Sequence, residues 1–207
     1  FSPDGQIIAS ADSAGMIKLW TQDGRFLKQF TGHQSGIYSL AFSPDSQTLL
    51  SAGLKDDTIK QWKRDGRLLG SFRAEQQGIA SVQFSPDGRT IATAGLDYTV
   101  KLWRTQGTLL RKLMGHRDVV YGVRFSPDGQ TIASASADTT IKLWRWHDGT
   151  LLDTLTGHTS FVNDISFSPN NKVLASASQD QTIKLWNLDN SLIKVLAGHH
   201  KAVNTVS

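Results

Sequence analysis

The sequence predicts an all-β chain built from five copies of one repeat. A five-residue segment reading FSPDG, FSPDS or FSPNN begins at Phe1, Phe42, Phe84, Phe125 and Phe167. Each copy ends on a tryptophan, and these tryptophans are Trp20, Trp62, Trp103, Trp144 and Trp186. The repeat length is therefore 41–42 residues, and a fixed period of that length indicates an array of identical supersecondary units. No stretch shows the 3.6-residue period of an amphipathic helix.

The fourth repeat illustrates the strands expected in every unit. Ser126-Pro127-Asp128-Gly129 predicts a tight turn, because proline presets φ and Gly129 accepts a positive φ. Strands rich in β-branched, aromatic or small residues are expected on either side of this turn and after the next two turns, over 119–125, 131–137, 140–144 and 150–155. Apolar residues occupy both faces of these strands, which favours sheets that are covered on both sides.

A Gly-His pair precedes the repeats, as at Gly115-His116. Gly-His, the Ser-Pro-Asp-Gly turn and an alternating run that ends in tryptophan together resemble the WD40-repeat family. The resemblance covers all 207 residues and implies a β-propeller of four-stranded antiparallel blades. The residue after the anchor tryptophan is atypical, because the Trp-Asp pair of the family is replaced by Thr21, Lys63, Arg104, Arg145 or Asn187.

Residues 1–207 are thus predicted to form a single β-propeller domain, or a propeller segment, of five repeats. The final AVNTVS joined to the initial FSPDG reads like FVNDIS–FSPNN at 161–171. We therefore expect the blade at the termini to be shared between the N- and C-terminal strands. Either the termini pair and close a five-bladed ring, or the chain is an arc of a larger array. The arc is favoured because the resemblance implies seven blades or more, and its open blade edges would favour self-association.

Composition bounds the chemistry that the chain can perform. There is no cysteine, so neither a disulfide nor a thiolate metal site can form. We expect no cofactor and no metal, because phosphate-loop, metal-ligand and nucleophile-elbow motifs are absent from the sequence. No apolar run approaches the roughly 20 residues of a membrane helix. A cytoplasmic protein without a membrane partner is therefore expected.

The net charge of +4 includes a periodic basic position. Two residues before the anchor tryptophans stand Lys18, Lys60, Lys101, Lys142 and Lys184. A ring of lysines could bind phosphate, but no aromatic residues interleave with them as in single-strand binders. The favoured interpretation is that each stem packs while its ammonium reaches water. A nucleic-acid partner is not expected.

Serine, histidine and aspartate recur together with the anchor tryptophan. The resemblance implies hydrogen-bonded structural tetrads, namely His33, Ser51, Asp56 and Trp62; His116, Ser134, Asp138 and Trp144; and His158, Ser176, Asp180 and Trp186. A third-repeat version contains Thr93, Asp97 and Trp103, with Glu75 in place of histidine, and in the first repeat Ala14 replaces aspartate. A Ser-His-Asp catalytic triad is the alternative, but a triad needs one oxyanion hole and one cleft, whereas this set recurs. We therefore expect no enzyme activity.

Positions that differ between repeats are expected to carry partner recognition. The resemblance places them on the top face of the propeller, and they are Tyr38, Lys55, Leu96, Val119, Tyr121, Phe161, Asn163, Gln179 and Asn204. Tyr121 and Phe161 come from successive repeats and form the predicted anchor pair, because aromatic side chains dominate binding hot spots. The alternative is that these rings plug the central channel.

The predicted function is a non-catalytic scaffold that docks a protein or peptide ligand on its top face. The alternative is an architectural or sensor segment of a larger multidomain signalling protein, without a high-affinity partner of its own.

Overall fold

The computed structural model describes residues 1–189 and 191–207, which form nineteen β-strands in five antiparallel sheets. In this part of the chain there is no helix, and hence none long and apolar enough to cross a membrane. The predicted all-β class is confirmed. The chain divides into two compact units, residues 1–95 with 101–111 and residues 96–100 with 112–207. They are called the first and the second unit.

The first unit contains two sheets and most of a third. Strands β1 to β3 form the first sheet, β4 to β7 the second and β8 to β11 the third, each in chain order. Their bounds are β1 Ile7–Ala11, β2 Met16–Thr21, β3 Phe26–Thr31, β4 Ile37–Phe42, β5 Thr48–Gly53, β6 Thr58–Lys63, β7 Leu68–Arg73, β8 Ile79–Phe84, β9 Thr90–Gly95, β10 Val100–Arg104 and β11 Leu109–Leu113.

The second unit contains the fourth sheet, β12 to β15, and the fifth sheet, β16 to β19, again in chain order. Their bounds are β12 Val120–Phe125, β13 Thr131–Ser136, β14 Ile141–Arg145, β15 Thr150–Leu155, β16 Val162–Phe167, β17 Val173–Ser178, β18 Ile183–Asn187 and β19 Leu192–Leu196. The fourth-repeat strands begin and end within one residue of the predicted ranges.

The first sheet differs from the predicted four-stranded blade, because it has three strands. The residues that the terminal resemblance assigns to its innermost strand, 203–207, are not in a strand. They lie along the fifth sheet, where the Val203 amide donates to the Ser178 carbonyl at 2.9 Å. Sharing of one blade between the two termini stays a prediction.

Each Ser-Pro-Asp-Gly turn is stabilised by its own serine and aspartate. In the fourth repeat the Ser126 hydroxyl donates to the Asp128 carboxylate at 2.6 Å and accepts from the Thr131 amide at 2.9 Å. Gly129 has φ of 65°, so the predicted left-handed conformation is confirmed. Ser46 and Asn171 occupy the same position in other repeats with φ of 62° and 56°.

The core of each unit lies between successive sheets. In the second unit, Ala133, Ile141 and Leu143 of the fourth sheet pack with Leu174 and Trp186 of the fifth. In the first unit, equivalent clusters join the first sheet to the second and the second to the third. A sheet is therefore stabilised by the neighbours that cover its faces, as in repeat proteins generally.

Candidate functional site

Three complete tetrads have almost the same geometry. The histidine Nδ1 lies 2.9, 2.8 and 2.7 Å from the aspartate Oδ2 in the sets of His33, His116 and His158. The histidine Nε2 lies 2.7 Å from the serine Oγ in each set. The tryptophan Nε1 donates to the same Oγ at 2.8, 2.9 and 2.8 Å. A single buried hydroxyl thus joins the anchor tryptophan to the Gly-His loop.

In the tetrad of His158, electrostatics fix the direction of the hydrogen bonds. Burial lowers the pKa of His158 below its ordinary value and outweighs the opposing effect of Asp180. Burial tends to raise the pKa of Asp180, but hydrogen bonds from Thr182 and His158 more than offset it and hold that pKa well below its usual range. The ionised carboxylate can only accept, so Nδ1 of the neutral ring donates to it and Nε2 accepts from the Ser176 hydroxyl.

This direction is the one found in a catalytic triad, but the hydroxyl is in a different environment. Ser176 is fully buried, and its oxygen also accepts from the Trp186 indole. Asp180 lies in the turn between β17 and β18, while Ser176 and Trp186 lie on those two strands. The network therefore connects a loop, a turn and two strands, and complete buried networks of this kind stiffen the structure around them.

In the third repeat a glutamine takes the place of the histidine in the network, and the expectation that Glu75 replaces the histidine is wrong. Gln76 is fully buried and its Oε1 accepts from the Thr93 hydroxyl, which accepts from the Trp103 Nε1 at 2.9 Å. Glu75 is exposed. The physical reason is the loop backbone, because Glu75 and Gln77 both have positive φ, 52° and 60°. The predicted partner Asp97 accepts from the Thr99 hydroxyl at 2.7 Å.

The first repeat has the weakest version of the network. The Trp20 Nε1 donates to the Ser10 Oγ at 3.0 Å, but this pair is exposed. Asp12 accepts from the amides of Ala14 and Met16 instead of from a histidine. The repeat in which Ala14 replaces the aspartate is thus also the one whose anchor tryptophan, Trp20, is only half-buried.

The periodic lysines bind the protein itself. The Lys60 ammonium donates to the Gly32 carbonyl at 2.7 Å, and the Lys101 ammonium donates to the carbonyls of Ala74 and Glu75 at 2.8 and 2.7 Å. Lys101 is buried, so the expectation that its ammonium reaches water is wrong. Lys184 is buried as well. The lysine positions therefore do not supply five exposed charges to a phosphate backbone.

A β-bulge explains one set of variable positions. In the ladder between β12 and β13 the register shifts between Val120 and Gly122, which leaves Tyr121 as the extra residue. The same shift leaves Tyr38 between Ile37 and Ser39, and Asn163 between Val162 and Asp164. A bulge turns one side chain out of the regular alternation. The residue at the bulge can therefore vary between repeats without disturbing the strand pairing. The sequence pattern did not reveal the bulge.

The other predicted partner residues differ in exposure. Tyr38 is 67% exposed, and Lys55 is also exposed, in the first unit. In the second unit Gln179 and Asn204 are exposed, while Leu96 and Val119 are half-buried. The Val119 carbonyl accepts from the Ala137 amide at 2.8 Å. These positions stay predicted contacts.

Tyr121 and Phe161 lie side by side in the second unit. Their ring centroids are 6.3 Å apart, with an interplanar angle of 44°. Phe161 is 39% exposed and Tyr121 is half-buried. The backbone N–H of Gln179 donates to the Phe161 carbonyl at 2.9 Å, and the Gln179 side chain is exposed. We call Tyr121, Phe161 and Gln179 the aromatic surface.

The C-terminal tail is bound next to this surface through residues that the sequence interpretation missed. The Asn163 amide donates to the Val203 carbonyl at 2.9 Å. The buried Asp164 carboxylate accepts from Arg124 at 2.8 Å and from the Thr205 hydroxyl at 2.9 Å. The sequence does mark Asp164, because it is the only acidic residue at a repeat position that is otherwise occupied by Ser39, Ser81, Gly122 and Thr205. The side-chain amide of Asn163 is therefore already hydrogen-bonded within the chain.

In the described part of the chain, no group of three or more His, Asp or Glu side chains lies close enough to hold a metal ion.

Comparison with known proteins now places the chain in a family. The family described as "WD domain, G-beta repeat" matches residues 1–21, 24–63, 66–104, 107–145 and 149–187. The chain belongs to the WD40-repeat family. This family is generally a non-catalytic scaffold fold, and membership supports a protein-interaction role. The matched ranges include every anchor tryptophan and every residue of the three complete tetrads.

Two curated relatives match over shorter stretches. WD repeat and SOCS box-containing protein 1 of Homo sapiens is 45% identical over 56 residues, which is 26% of this chain and 13% of the relative. Ubiquitin homeostasis protein lub1 of Schizosaccharomyces pombe is 47% identical over 51 residues, 25% of this chain and 7% of the relative. The chain therefore aligns with a small part of these relatives.

Proposed function

We propose that this chain is a non-catalytic interaction module that docks a protein or peptide on the aromatic surface of the second unit. The observation that carries the proposal is the contact between Tyr121 and Phe161, two rings from successive sheets that remain partly exposed. WD40 membership supports the broader role of a protein-interaction scaffold.

The chemistry of the aromatic surface suits an anchor from a partner. Two tilted rings offer a large apolar area, and their fixed position costs little conformational entropy when a ligand binds. The backbone of Gln179 is bound to that of Phe161, and its exposed side chain can exchange hydrogen bonds at the rim of the contact. A partner segment with an apolar or aromatic side chain and polar flanks fits this arrangement.

The backbone beneath the rings keeps the surface in place. Tyr121 occupies the bulge of β12, and its neighbours Val120 and Gly122 are buried in the sheet. The Phe161 carbonyl is held by the Gln179 amide and by the Ser178 hydroxyl, both at 2.9 Å. A preorganised surface binds more tightly because less ordering is needed on association.

The test is affinity capture from a lysate of the source organism, with the wild-type chain and the double variant Tyr121→Ala/Phe161→Ala as baits. The control is Leu152→Ala, because Leu152 is 44% exposed on the outer strand β15 and is not among the predicted partner contacts. We expect a protein that is retained by the wild type and by the control and is lost with the double variant.

Two results would contradict the proposal. Equal retention by all three baits would place binding elsewhere. A large fall in the melting temperature of the double variant would favour the interpretation that the rings plug the structure. If no protein is retained by any bait, the architectural role is favoured instead. The relative named WD repeat and SOCS box-containing protein 1 shows that such repeats can form one part of a longer chain.

A further inference from the structure

A groove lies between the second and third sheets of the first unit. One part of it is a cavity of about 340 Å³ between the Ser-Pro-Asp turns of these sheets, and its lining includes Asp45, Asp87 and Thr105. The other part, of about 380 Å³, runs along β7. Gln61 and Thr105 line both parts, so the two form one continuous groove.

Two departures from the repeat pattern open the groove along β7. Gln61 stands directly before the anchor tryptophan, where the other repeats have Leu19, Leu102, Leu143 and Leu185. The Gln61 side-chain amide donates to the Thr105 carbonyl. Gly70 is paired with Gln61 across β6 and β7, and no atom lies within 4 Å of the point where a Cβ would stand. The same ladder position holds Lys28, Asp153 and Lys194 in other sheets.

Thr105 is a third departure, and the second repeat shows which contact it removes. Thr105 is the second residue after its anchor tryptophan, as Arg64 is in the second repeat. The Arg64 guanidinium donates to the Asp4 carboxylate at 2.5 Å and to the Gln6 Oε1 at 2.9 Å. The residues of the second repeat that correspond to these two acceptors are Asp45 and Gln47. The shorter Thr105 side chain brings no charge to them.

The carboxylates at the groove are negatively charged. Hydrogen bonds from the Ser43 hydroxyl and from the backbone N–H of Gln47 lower the pKa of Asp45 below its ordinary value. The same two contacts, made by the equivalent residues of the third repeat, lower the pKa of Asp87. Among the described residues that line the groove, none is basic. A positively charged ligand is therefore complementary to it.

We propose that this groove binds an arginine side chain from a peptide segment of a partner. The guanidinium donates to Asp45 as Arg64 donates to Asp4, since its planar donors suit a carboxylate and a neighbouring oxygen. A neighbouring apolar side chain of the peptide packs on Leu69 and Phe72. Arginine is the occupant because the chain fills the equivalent place in the preceding repeat with its own arginine. The groove shares no residue with the aromatic surface.

The test is an NMR titration of the isotope-labelled chain with the capped tripeptide acetyl-Leu-Arg-Leu-amide, which has an apolar residue on either side of arginine. We expect it to shift the backbone amide signals of Asp45, Gln47 and Thr105. The same tripeptide with citrulline, which keeps the shape of arginine without its charge, should bind at least about tenfold more weakly. Acetylarginine amide, which lacks the apolar neighbours, should also bind more weakly than the arginine tripeptide.

Two variants test the groove from the side of the chain. Thr105→Arg supplies the chain's own arginine and should abolish binding, whereas the control Gln130→Arg adds the same charge at an exposed position of the second unit and should not. Asp45→Asn removes the charge but keeps the turn, because Asn170 holds this position in the fifth repeat and accepts from the Ser168 hydroxyl at 2.7 Å. It should weaken binding of the arginine tripeptide about tenfold or more.

The absence of shifts with the arginine tripeptide would overturn the proposal, and so would equal binding of the citrulline tripeptide. Undiminished binding by Thr105→Arg would overturn it as well, and if that variant does not fold, Asp45→Asn decides in its place. If acetylarginine amide binds as tightly as the tripeptide, the groove takes a small guanidinium compound, and docking of a peptide is overturned.

Discussion

The buried serine of the tetrad offers the most quantitative test of how these repeats are stabilised. In the second repeat the Ser51 hydroxyl is fully buried, accepts from the Trp62 indole at 2.8 Å and lies 2.7 Å from the His33 Nε2. Ser51→Ala removes both hydrogen bonds and leaves two buried polar atoms without a partner. Each orphaned group costs about 1–3 kcal/mol. We therefore expect the free energy of unfolding to fall by about 2–6 kcal/mol.

Ser10→Ala is the matched control in the same unit. Ser10 also accepts from an anchor tryptophan, Trp20, but that pair is exposed and no histidine is bound. Water can replace the lost hydroxyl, so the change should stay within about 0.5 kcal/mol.

Urea denaturation followed by tryptophan fluorescence measures the difference. With a slope of about 2 kcal/mol per molar urea, Ser51→Ala should lower the midpoint by about 1–3 M, and Ser10→Ala should leave it nearly unchanged. Adding Trp62→Phe to Ser51→Ala should cost less than the sum of the single changes, because the orphaned indole donor is gone. Equal destabilisation by Ser51→Ala and Ser10→Ala would refute the argument from buried partners.

Three further predictions follow from the same contacts. Burial lowers the pKa of His33 below its ordinary value of 6.5, so on acidification the unfolded chain binds a proton at His33 before the folded chain does. The free energy of unfolding should therefore fall as the pH drops below about 6.5, and thermal melts at several pH values should show a weaker dependence in His33→Gln. Lys101→Met should cost about 1–3 kcal/mol in urea denaturation by leaving two carbonyls unpaired, against about 0.5 kcal/mol or less for the exposed Lys63→Met. Asp164→Ala should speed amide exchange of residues 203–207, and unchanged exchange would contradict the role of Asp164.

The repeat architecture could be predicted because each copy repeats the same local signals. The turn at Ser126 and Gly129, the strand lengths and the anchor tryptophan all depend on residues close in sequence. Five copies in register make each of these signals visible several times. The tetrad side chains could be named through the family resemblance, since their spacing is nearly constant.

Other features escaped prediction because they depend on backbone conformation or on contacts distant in sequence. Alignment of the repeats assigned Glu75 to the histidine position, but two residues with positive φ bring Gln76 to it instead. The side chain of Lys101 was expected to reach water, yet carbonyls of a loop 26 and 27 residues earlier bind it. The bulge at Tyr121 has no marker in the sequence, because it arises from the pairing with β13.

The central claim is that a partner docks on the aromatic surface, and site-specific photo-cross-linking tests it most directly. A photoreactive phenylalanine analogue would replace Tyr121 in one preparation, Phe161 in a second and Leu152 in a third, and each would be irradiated in a lysate of the source organism. We expect one common protein that is cross-linked from positions 121 and 161 and is absent from position 152. The same protein cross-linked from position 152, with none from 121 or 161, would contradict it.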